Sequence, residues 1–164
     1  DEQLAVGIGN FANEMSSLFV SQTGGLQFSD EAIGEGIGAP SRKFLSFGLF
    51  FFDYDLDGRL DFLQTNGHLE DEISEVQSSQ LYRQPTKLFW TSGPDARSCF
   101  QEVPNDRVGD LSQPIVGRGA AYADIDADGF VQYGGYAAPD ASGALVAGEV
   151  GCNTAGLQPE SVGP

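Results

Sequence analysis

Short apolar runs separated by Gly, Asn and Asp set the pattern of this chain. The runs are Leu4 to Ile8, Leu18 to Val20, Phe47 to Phe52, Phe62-Leu63, Leu88 to Trp90 and Gly119 to Ala123. Runs this short, rich in aromatic and β-branched residues and bounded by turn formers, predict strands rather than helices. Only residues 69–82 show a partial helical spacing of apolar residues, which predicts a short surface helix in a connection. The pattern predicts an all-β class.

A strand–loop–strand unit recurs along the chain. Residues 47–63 and 117–129 each run from an apolar strand into Asp-x-Asp-x-Asp-Gly, and the two loops begin at Asp53 and Asp124, 71 residues apart. Residues 6–20 repeat the strands but carry Asn10, Ala12 and Glu14 in the loop. Three such units favour propeller blades or a β-solenoid over one closed sandwich.

The first loop carries the residues that calcium prefers. Its acids occupy positions 1, 3, 5 and 9 of the loop and are Asp53, Asp55, Asp57 and Asp61. Gly58 at position 6 permits a sharp turn, and the backbone carbonyl of Arg59 at position 7 can add an oxygen. Two carboxylates about 5 Å apart at a dielectric near 20 repel by roughly 3 kcal/mol, which a divalent cation would reverse. The alternative is a solvated acidic turn without metal.

The second loop is a weaker version of the same site. It offers Asp124, Asp126 and Asp128, but its ninth position is the neutral Gln132. An EF-hand is excluded for the first loop because position 12 is Gln64 and the flanking segments are strand-like rather than helical. We therefore expect calcium that is structural and pins a turn between strands.

The composition of the chain narrows the classes of partner that it is expected to bind. The chain has 24 acidic and 8 basic residues, a net charge of −16 and an isoelectric point near 4.1. Electrostatic repulsion argues against nucleic acid and anionic membranes as partners. One His and two Cys make a zinc site of those ligands implausible, and no apolar run is long enough to span a membrane.

These motifs resemble those of FG-GAP/VCBS repeat proteins, and more closely the ASPIC/UnbV-associated group related to cartilage acidic protein. The matching segments are Phe47-Gly48 before the Asp53 loop, Thr65-Asn66-Gly67-His68, Gln80-Leu81-Tyr82-Arg83, Lys87-Leu88-Phe89-Trp90, and Val116 to Ala121 before Asp124. The resemblance covers residues 4–129. It implies a partial β-propeller of two to three blades, calcium (Ca²⁺) in the loops, and an extracytoplasmic address: periplasm, cell surface or secretion.

The resemblance also divides the chain. It implies a degenerate blade over about residues 1–45, a blade over about 46–115, and the start of a further blade over 116–129. The pattern stops after Gly129, and residues 130–164 contain seven Gly but no Lys or Arg. We predict poor order there, and a shifted reading frame or truncation is one hypothesis for this tail.

Two functions follow as expectations. The first is a calcium-stabilised propeller fragment of a binding or adhesion protein, with a protein or carbohydrate ligand and no catalysis. The alternative is a propeller-type hydrolase or carbohydrate-active enzyme, for which His68 with Glu70 would be the candidate pair. Incomplete propellers leave blade faces and edges unpaired, so self-association is also expected. Trp90 is predicted to lie in a blade core, and Arg118 is predicted to form a structural ion pair.

Overall fold

The computed structural model describes residues 4–22, 27–93, 97–123 and 132–137. The strands over these residues are β1 Ala5–Ile8, β2 Ser17–Ser21, β3 Phe28–Asp30, β4 Ser46–Phe52, β5 Asp61–Asn66, β6 Lys87–Thr91, β7 Phe100–Glu102, β8 Gly117–Ala123 and β9 Gln132–Ala137. The short helices are α1 Gly38–Ser41, α2 Ile73–Val76 and a 3₁₀ turn at Gly109–Ser112. The predicted mostly-β class is confirmed for this part of the chain.

The strands form three antiparallel sheets in which neighbours in sequence are neighbours in space. Sheet 1 has the order β1-β2-β3, sheet 2 the order β4-β5-β6-β7, and sheet 3 pairs β8 with β9. Sheets 1 and 2 are up-and-down meanders, in which each strand returns directly beside the last, and sheet 3 is a single antiparallel pair over the described residues. Every apolar run that predicted a strand falls in one.

The short surface helix predicted within residues 69–82 is confirmed: it is α2, the single turn Ile73–Val76 in the connection between β5 and β6. Ile73 is buried, but Leu69 is exposed and Val76 is 81% exposed, so the segment has no continuous apolar face to pack. A helix without such a face gains little from tertiary contacts and does not extend.

Sheet 2 lies between the other two sheets, and the alternation of side chains along β4 produces this arrangement. Phe51 of β4 packs towards sheet 1, in a cluster with Phe62 and Leu18. Phe50 and Phe52 point the other way and stack on Tyr122 of sheet 3. Both faces of sheet 2 are therefore covered, and its strand β5 is buried throughout.

The sheets approach one another most closely near their first strands, where glycines allow backbone contact. A Cβ on Gly48 of β4 would lie 2.7 Å from the backbone N of Ala120 in β8. A Cβ on Gly67, just after β5, would lie 2.6 Å from the backbone N of Gly117. No real Cβ tolerates such distances, so these positions require glycine in order for the sheets to meet.

After Ala123 the structure describes only residues 132–137. Of the predicted poorly ordered tail at 130–164, residues 132–137 form β9, which pairs with β8 from Gly117↔Ala137 to Ala123↔Gln132. The rest of that tail lies outside the described residues, and the prediction for it stays a prediction. None of the helices described has the length and hydropathy needed to cross a bilayer.

Candidate metal centre

The loop between β4 and β5 folds around the carboxylate of Asp53. Asp53 Oδ1 accepts the backbone N–H of Asp57 at 3.0 Å, and its Oδ2 accepts that of Gly58 at 2.8 Å. Gly58 has φ +85°, and Leu56 adopts φ +61°, so the backbone turns sharply at both residues. A left-handed Gly at this place is what the sequence predicts for position 6 of the loop.

Asp61 ties the end of the loop to the sheet. It is 1% exposed, its Oδ2 accepts the N–H of Tyr54 at 2.8 Å and its Oδ1 accepts the N–H of Thr91 at 2.7 Å. Burial raises the pKa of this carboxyl to about 6, with the charges of Asp55 and Asp57 adding to the rise and the two backbone N–H groups opposing it. The protein thus holds a carboxylate where ionisation is costly.

Asp55 presents one satisfied and one unsatisfied oxygen. The indole Nε1–H of Trp90 donates to Asp55 Oδ2 at 2.9 Å. Asp55 Oδ1 is buried and accepts no hydrogen bond from the described residues. A buried carboxylate oxygen without a donor carries an uncompensated desolvation cost, which a bound cation would offset.

Three of the predicted ligands converge. Asp53, Asp55 and Asp61 each offer a carboxylate oxygen, and these oxygens lie within 4.8 Å of one another. Oxygens that share one Ca²⁺ at about 2.3–2.6 Å lie at most about 5 Å apart, so this spacing is compatible with a common ion. The donor set, hard anionic oxygens without nitrogen or sulfur, suits Ca²⁺ or Mg²⁺ rather than zinc or copper.

Asp57 is not brought into this group. Its Oδ1 accepts the backbone N–H of Arg59 at 2.8 Å, and its Oδ2 forms an ion pair with the Arg59 guanidinium. The Arg59 side chain also donates from Nε to the carbonyl of Thr91 at 3.1 Å. Asp57 is thus engaged by a neighbouring cation, while the predicted role of the Arg59 carbonyl stays a prediction.

The second loop falls outside the described residues. Asp124, Asp126 and Asp128 all lie within 124–131. Their assignment as ligands therefore stays a prediction from the sequence alone.

Two residues that the loop motif does not contain complete the surroundings of the centre. Trp90 and Thr91 end strand β6. Because Phe89 pairs with Phe62 near the start of β5, the two residues that follow Phe89 lie next to the loop. Thr91 also donates from its hydroxyl to the carbonyl of Leu60. The sequence predicts a core position for Trp90 because large aromatic residues pack between sheets, and Trp90 does pack against the cluster that contains Phe52 and Leu88. Its bond to Asp55 is not predicted, because a contact with a distant carboxylate leaves no local signal in the sequence.

His68 and Arg118 belong to a different part of the structure, where the chain after β5 meets strand β8. His68 Nδ1 accepts the backbone N–H of Glu70 at 3.1 Å, as a turn residue does. Arg118 donates to the carbonyls of Gly67 and His68 at 3.1 and 2.9 Å, and its guanidinium lies 4.4 Å from the centre of the Phe47 ring. The predicted Arg118 ion pair is therefore replaced, in the described part of the chain, by carbonyl and cation–π contacts.

Comparison with known proteins adds no assignment: no family model and no curated protein matches the chain. The resemblance stated above rests on its own motifs. The chemistry of the 53–61 loop is therefore the basis for any functional conclusion.

Proposed function

We propose that the loop at residues 53–61 binds Ca²⁺ as a structural ion, in a propeller-type fragment of an extracytoplasmic binding or adhesion protein that performs no catalysis. Two observations carry this proposal: carboxylate oxygens of Asp53, Asp55 and Asp61 lie within 4.8 Å of one another, and Asp55 Oδ1 is buried with no donor among the described residues. Asp53, Asp55 and Asp61 would hold the ion.

Electrostatics supports a dication at this point. Carboxylates a few ångströms apart repel one another, and burial of Asp61 adds the desolvation cost that raises its pKa. The backbone N–H donors to Asp53 and Asp61 fix these carboxylates before any ion arrives. A positive ion would convert the repulsion into attraction with little reorganisation of the loop.

The position of the loop supports a structural role. Asp53 follows β4, Asp61 begins β5, and Asp61 also accepts a bond from Thr91 at the end of β6. An ion held here would cross-link three strands of sheet 2. A strand junction lacks the pair of helices that a calcium sensor opens, so we expect stabilisation rather than switching.

The sheet arrangement supports the propeller part of the proposal. Three successive antiparallel sheets pack against one another in chain order, with close backbone contact between sheets 2 and 3 at Gly48 and Gly67. Consecutive blades of a propeller pack in this way. Calcium loops of extracellular modules bind at about 10⁻⁴–10⁻³ M, which favours a calcium-rich extracytoplasmic compartment. The protein or carbohydrate ligand is proposed on the resemblance to FG-GAP/VCBS proteins alone.

Isothermal titration with CaCl₂ tests the proposal. We expect one site on the described loop with a Kd of about 10⁻⁴–10⁻³ M or tighter. Asp55→Asn keeps the shape of the side chain but removes its charge, and we expect binding weakened by about tenfold or more. Asp71→Asn is the matched control, because Asp71 is an exposed acid in the connection after β5.

The second loop requires one further variant in this experiment. Asp124→Asn would remove a possible second site, so that the remaining heat belongs to the 53–61 loop. The Asp124→Asn chain is then compared with the same chain carrying Asp55→Asn or Asp71→Asn. Equal calcium binding by all three would refute the site. Absence of binding by wild type at millimolar CaCl₂ would refute it as well.

A further inference from the structure

Arg59 is the one basic residue in the sequence of the 53–61 loop, and the structure pairs it with a predicted acidic ligand. Its guanidinium forms an ion pair with Asp57 Oδ2, and its backbone N–H donates to Asp57 Oδ1 at 2.8 Å. Both oxygens of the Asp57 carboxylate are therefore engaged by the same residue. Asp57 is also the loop acid that the spacing predicts as a ligand and that does not join the other three.

The Arg59 side chain is held from a second side by the end of strand β6. Its Nε–H donates to the carbonyl of Thr91 at 3.1 Å. The backbone N–H of Thr91 in turn donates to Asp61 Oδ1 at 2.7 Å. The same residue of β6 thus orients one carboxylate of the converging group and the cation beside that group.

The shape of the loop does not depend on the pair between Asp57 and Arg59. Asp53 accepts the backbone N–H groups of Asp57 and Gly58 at 3.0 and 2.8 Å. Asp61 accepts the backbone N–H of Tyr54 at 2.8 Å. These bonds involve neither the guanidinium nor the Asp57 carboxylate, so loss of the ion pair leaves the turn and the converging carboxylates in place.

The ion pair is weak enough to be exchanged for a bound ion. The side chain of Arg59 is 41% exposed and that of Asp57 is 23% exposed. Pairs this exposed change an equilibrium by a factor of about five or less, because water screens them and both side chains lose freedom. At equal distance a divalent cation attracts a carboxylate about twice as strongly as a univalent guanidinium does.

We infer that Arg59 is a competing internal cation of the 53–61 loop: it pairs with Asp57, Ca²⁺ displaces it from that carboxylate, and this competition lowers the calcium affinity of the loop. The backbone N–H of Asp57 donates to Asp53, so the Asp57 carboxylate is attached next to the converging group. The inference rests on the proposed function, because it names a residue that sets the affinity of the same calcium site.

Calorimetric titration with CaCl₂ in the Asp124→Asn chain tests the inference. Arg59→Gln removes the charge and leaves the backbone carbonyl of residue 59 in place, and we expect the Kd to fall by about two- to fivefold. Arg42→Gln is the matched control, because it makes the same change of charge at an exposed residue before β4, whose seven residues span about 23 Å and lead to the loop. Charges this far apart are screened at about 0.15 M NaCl, so the control should bind as the parent chain does.

Two further variants separate competition for Asp57 from other effects of Arg59. Arg59→Lys keeps the charge but lacks the Nε–H that bonds Thr91, so its Kd should stay within about twofold of the parent; tightening equal to that of Arg59→Gln would overturn the inference. The gain from Arg59→Gln should also be lost when Asp57→Asn is present, as in a double-mutant cycle. An equal gain in that background would mean that Arg59 only repels the ion, and would overturn the inference as well.

A measurement on the unsubstituted chain decides the question if a variant fails to fold, which circular dichroism reveals. In crystals grown in CaCl₂ we expect an oxygen of Asp57 at the ion and the Arg59 guanidinium no longer paired with it. An ion pair between Asp57 and Arg59 that persists beside a bound ion would overturn the inference.

Failure of this inference and failure of the proposed function give different results. Calcium binding that Asp55→Asn weakens but Arg59→Gln does not tighten overturns the role of Arg59 alone. An Asp124→Asn chain that binds no calcium at millimolar CaCl₂ refutes the site itself, and the role of Arg59 falls with it.

Discussion

At the scale of single residues, the pKa of Asp61 predicts how stability depends on pH. The group titrates near 3.8 when unfolded and at about 6 in the metal-free folded protein, so between these values the folded state binds more protons. Its contribution to the free energy of unfolding is therefore largest at low pH and falls as pH rises through 6, by up to about 3 kcal/mol. Urea unfolding in EDTA, compared between wild type and Asp61→Asn, isolates this slope.

Calcium should remove that slope. An ion bound to Asp61 favours the charged carboxylate and lowers its pKa below the unfolded value of 3.8, so the fall in stability between pH 3.8 and 6 disappears and stability is lost only as pH falls below about 3.8. The difference in unfolding free energy between wild type and Asp61→Asn should then depend on pH between about 4 and 6 in EDTA but not in CaCl₂. A slope that is identical in both conditions would mean that Asp61 does not contact the ion.

Trp90 provides a second residue-scale prediction. Trp90→Phe keeps an aromatic ring but removes the Nε1–H that holds Asp55 Oδ2. We expect calcium affinity to fall by about tenfold or more, because a hydrogen bond to a charged group contributes about 1.5 kcal/mol or more. Calorimetry measures this directly. Unchanged affinity with an unchanged melting temperature would show that the indole does not position Asp55.

Sequence could predict part of the site at this scale. Positions 1, 3 and 9 of the loop, which are Asp53, Asp55 and Asp61, converge as the spacing predicts. Asp57 does not join them, because Arg59 two residues away pairs with it. The spacing of acids contains no information about which basic side chain competes for one of them, and the bond from Trp90 depends on strand pairing.

At the scale of elements, close contact between sheets depends on Gly48. Gly48→Ala places a Cβ 2.7 Å from backbone atoms of Gly119 and Ala120, which cannot move aside as a flexible side chain would. We expect a loss of about 1–3 kcal/mol in the free energy of unfolding, or more. Gly34→Ala is the control, because its Cβ meets no atom nearer than 3.7 Å. Equal effects of the two variants in urea unfolding would contradict the stacking of sheets 2 and 3.

The same scale shows which elements the hydrophobic pattern can predict. Runs such as Phe47 to Phe52 predict their strands, because strand propensity, aromatic content and bounding turn residues agree. Strands β3 and β7 have three residues each, too few to show alternation, and their pairing partners rather than their own sequence define them. The helix predicted within residues 69–82 is present but stays one turn long, because Ile73 is buried while Leu69 and Val76 are exposed.

At the scale of the whole molecule, calcium should stabilise the folded chain by mass action. Ion at ten times its Kd adds about 1.4 kcal/mol, which corresponds to roughly 3–6 °C in melting temperature for a chain of this size. Thermal unfolding in CaCl₂ and in EDTA measures the shift. Asp55→Asn should lose the shift and Asp71→Asn should keep it. A shift that both variants retain would place the stabilising ion elsewhere.

The repeat of strand and loop in the sequence predicts several successive sheets, but it does not predict which face of each sheet packs against its neighbour. The sequence predicts successive strand–loop–strand units, and the described residues form three antiparallel sheets in chain order, while the assignment of these sheets to propeller blades stays a prediction. Which face of sheet 1 packs on sheet 2 is not evident from β1 alone, because Val6 and Ile8 resemble core residues until Gly7 and Leu18 are seen to fill that contact.

A crystal structure of the chain grown in CaCl₂, with anomalous scattering recorded, tests the central claim most directly. The account predicts an anomalous peak in the 53–61 loop, with oxygens of Asp53, Asp55 and Asp61 at about 2.3–2.6 Å from it. Ordered loop density without a peak, or a peak that these three carboxylates do not contact, would contradict it.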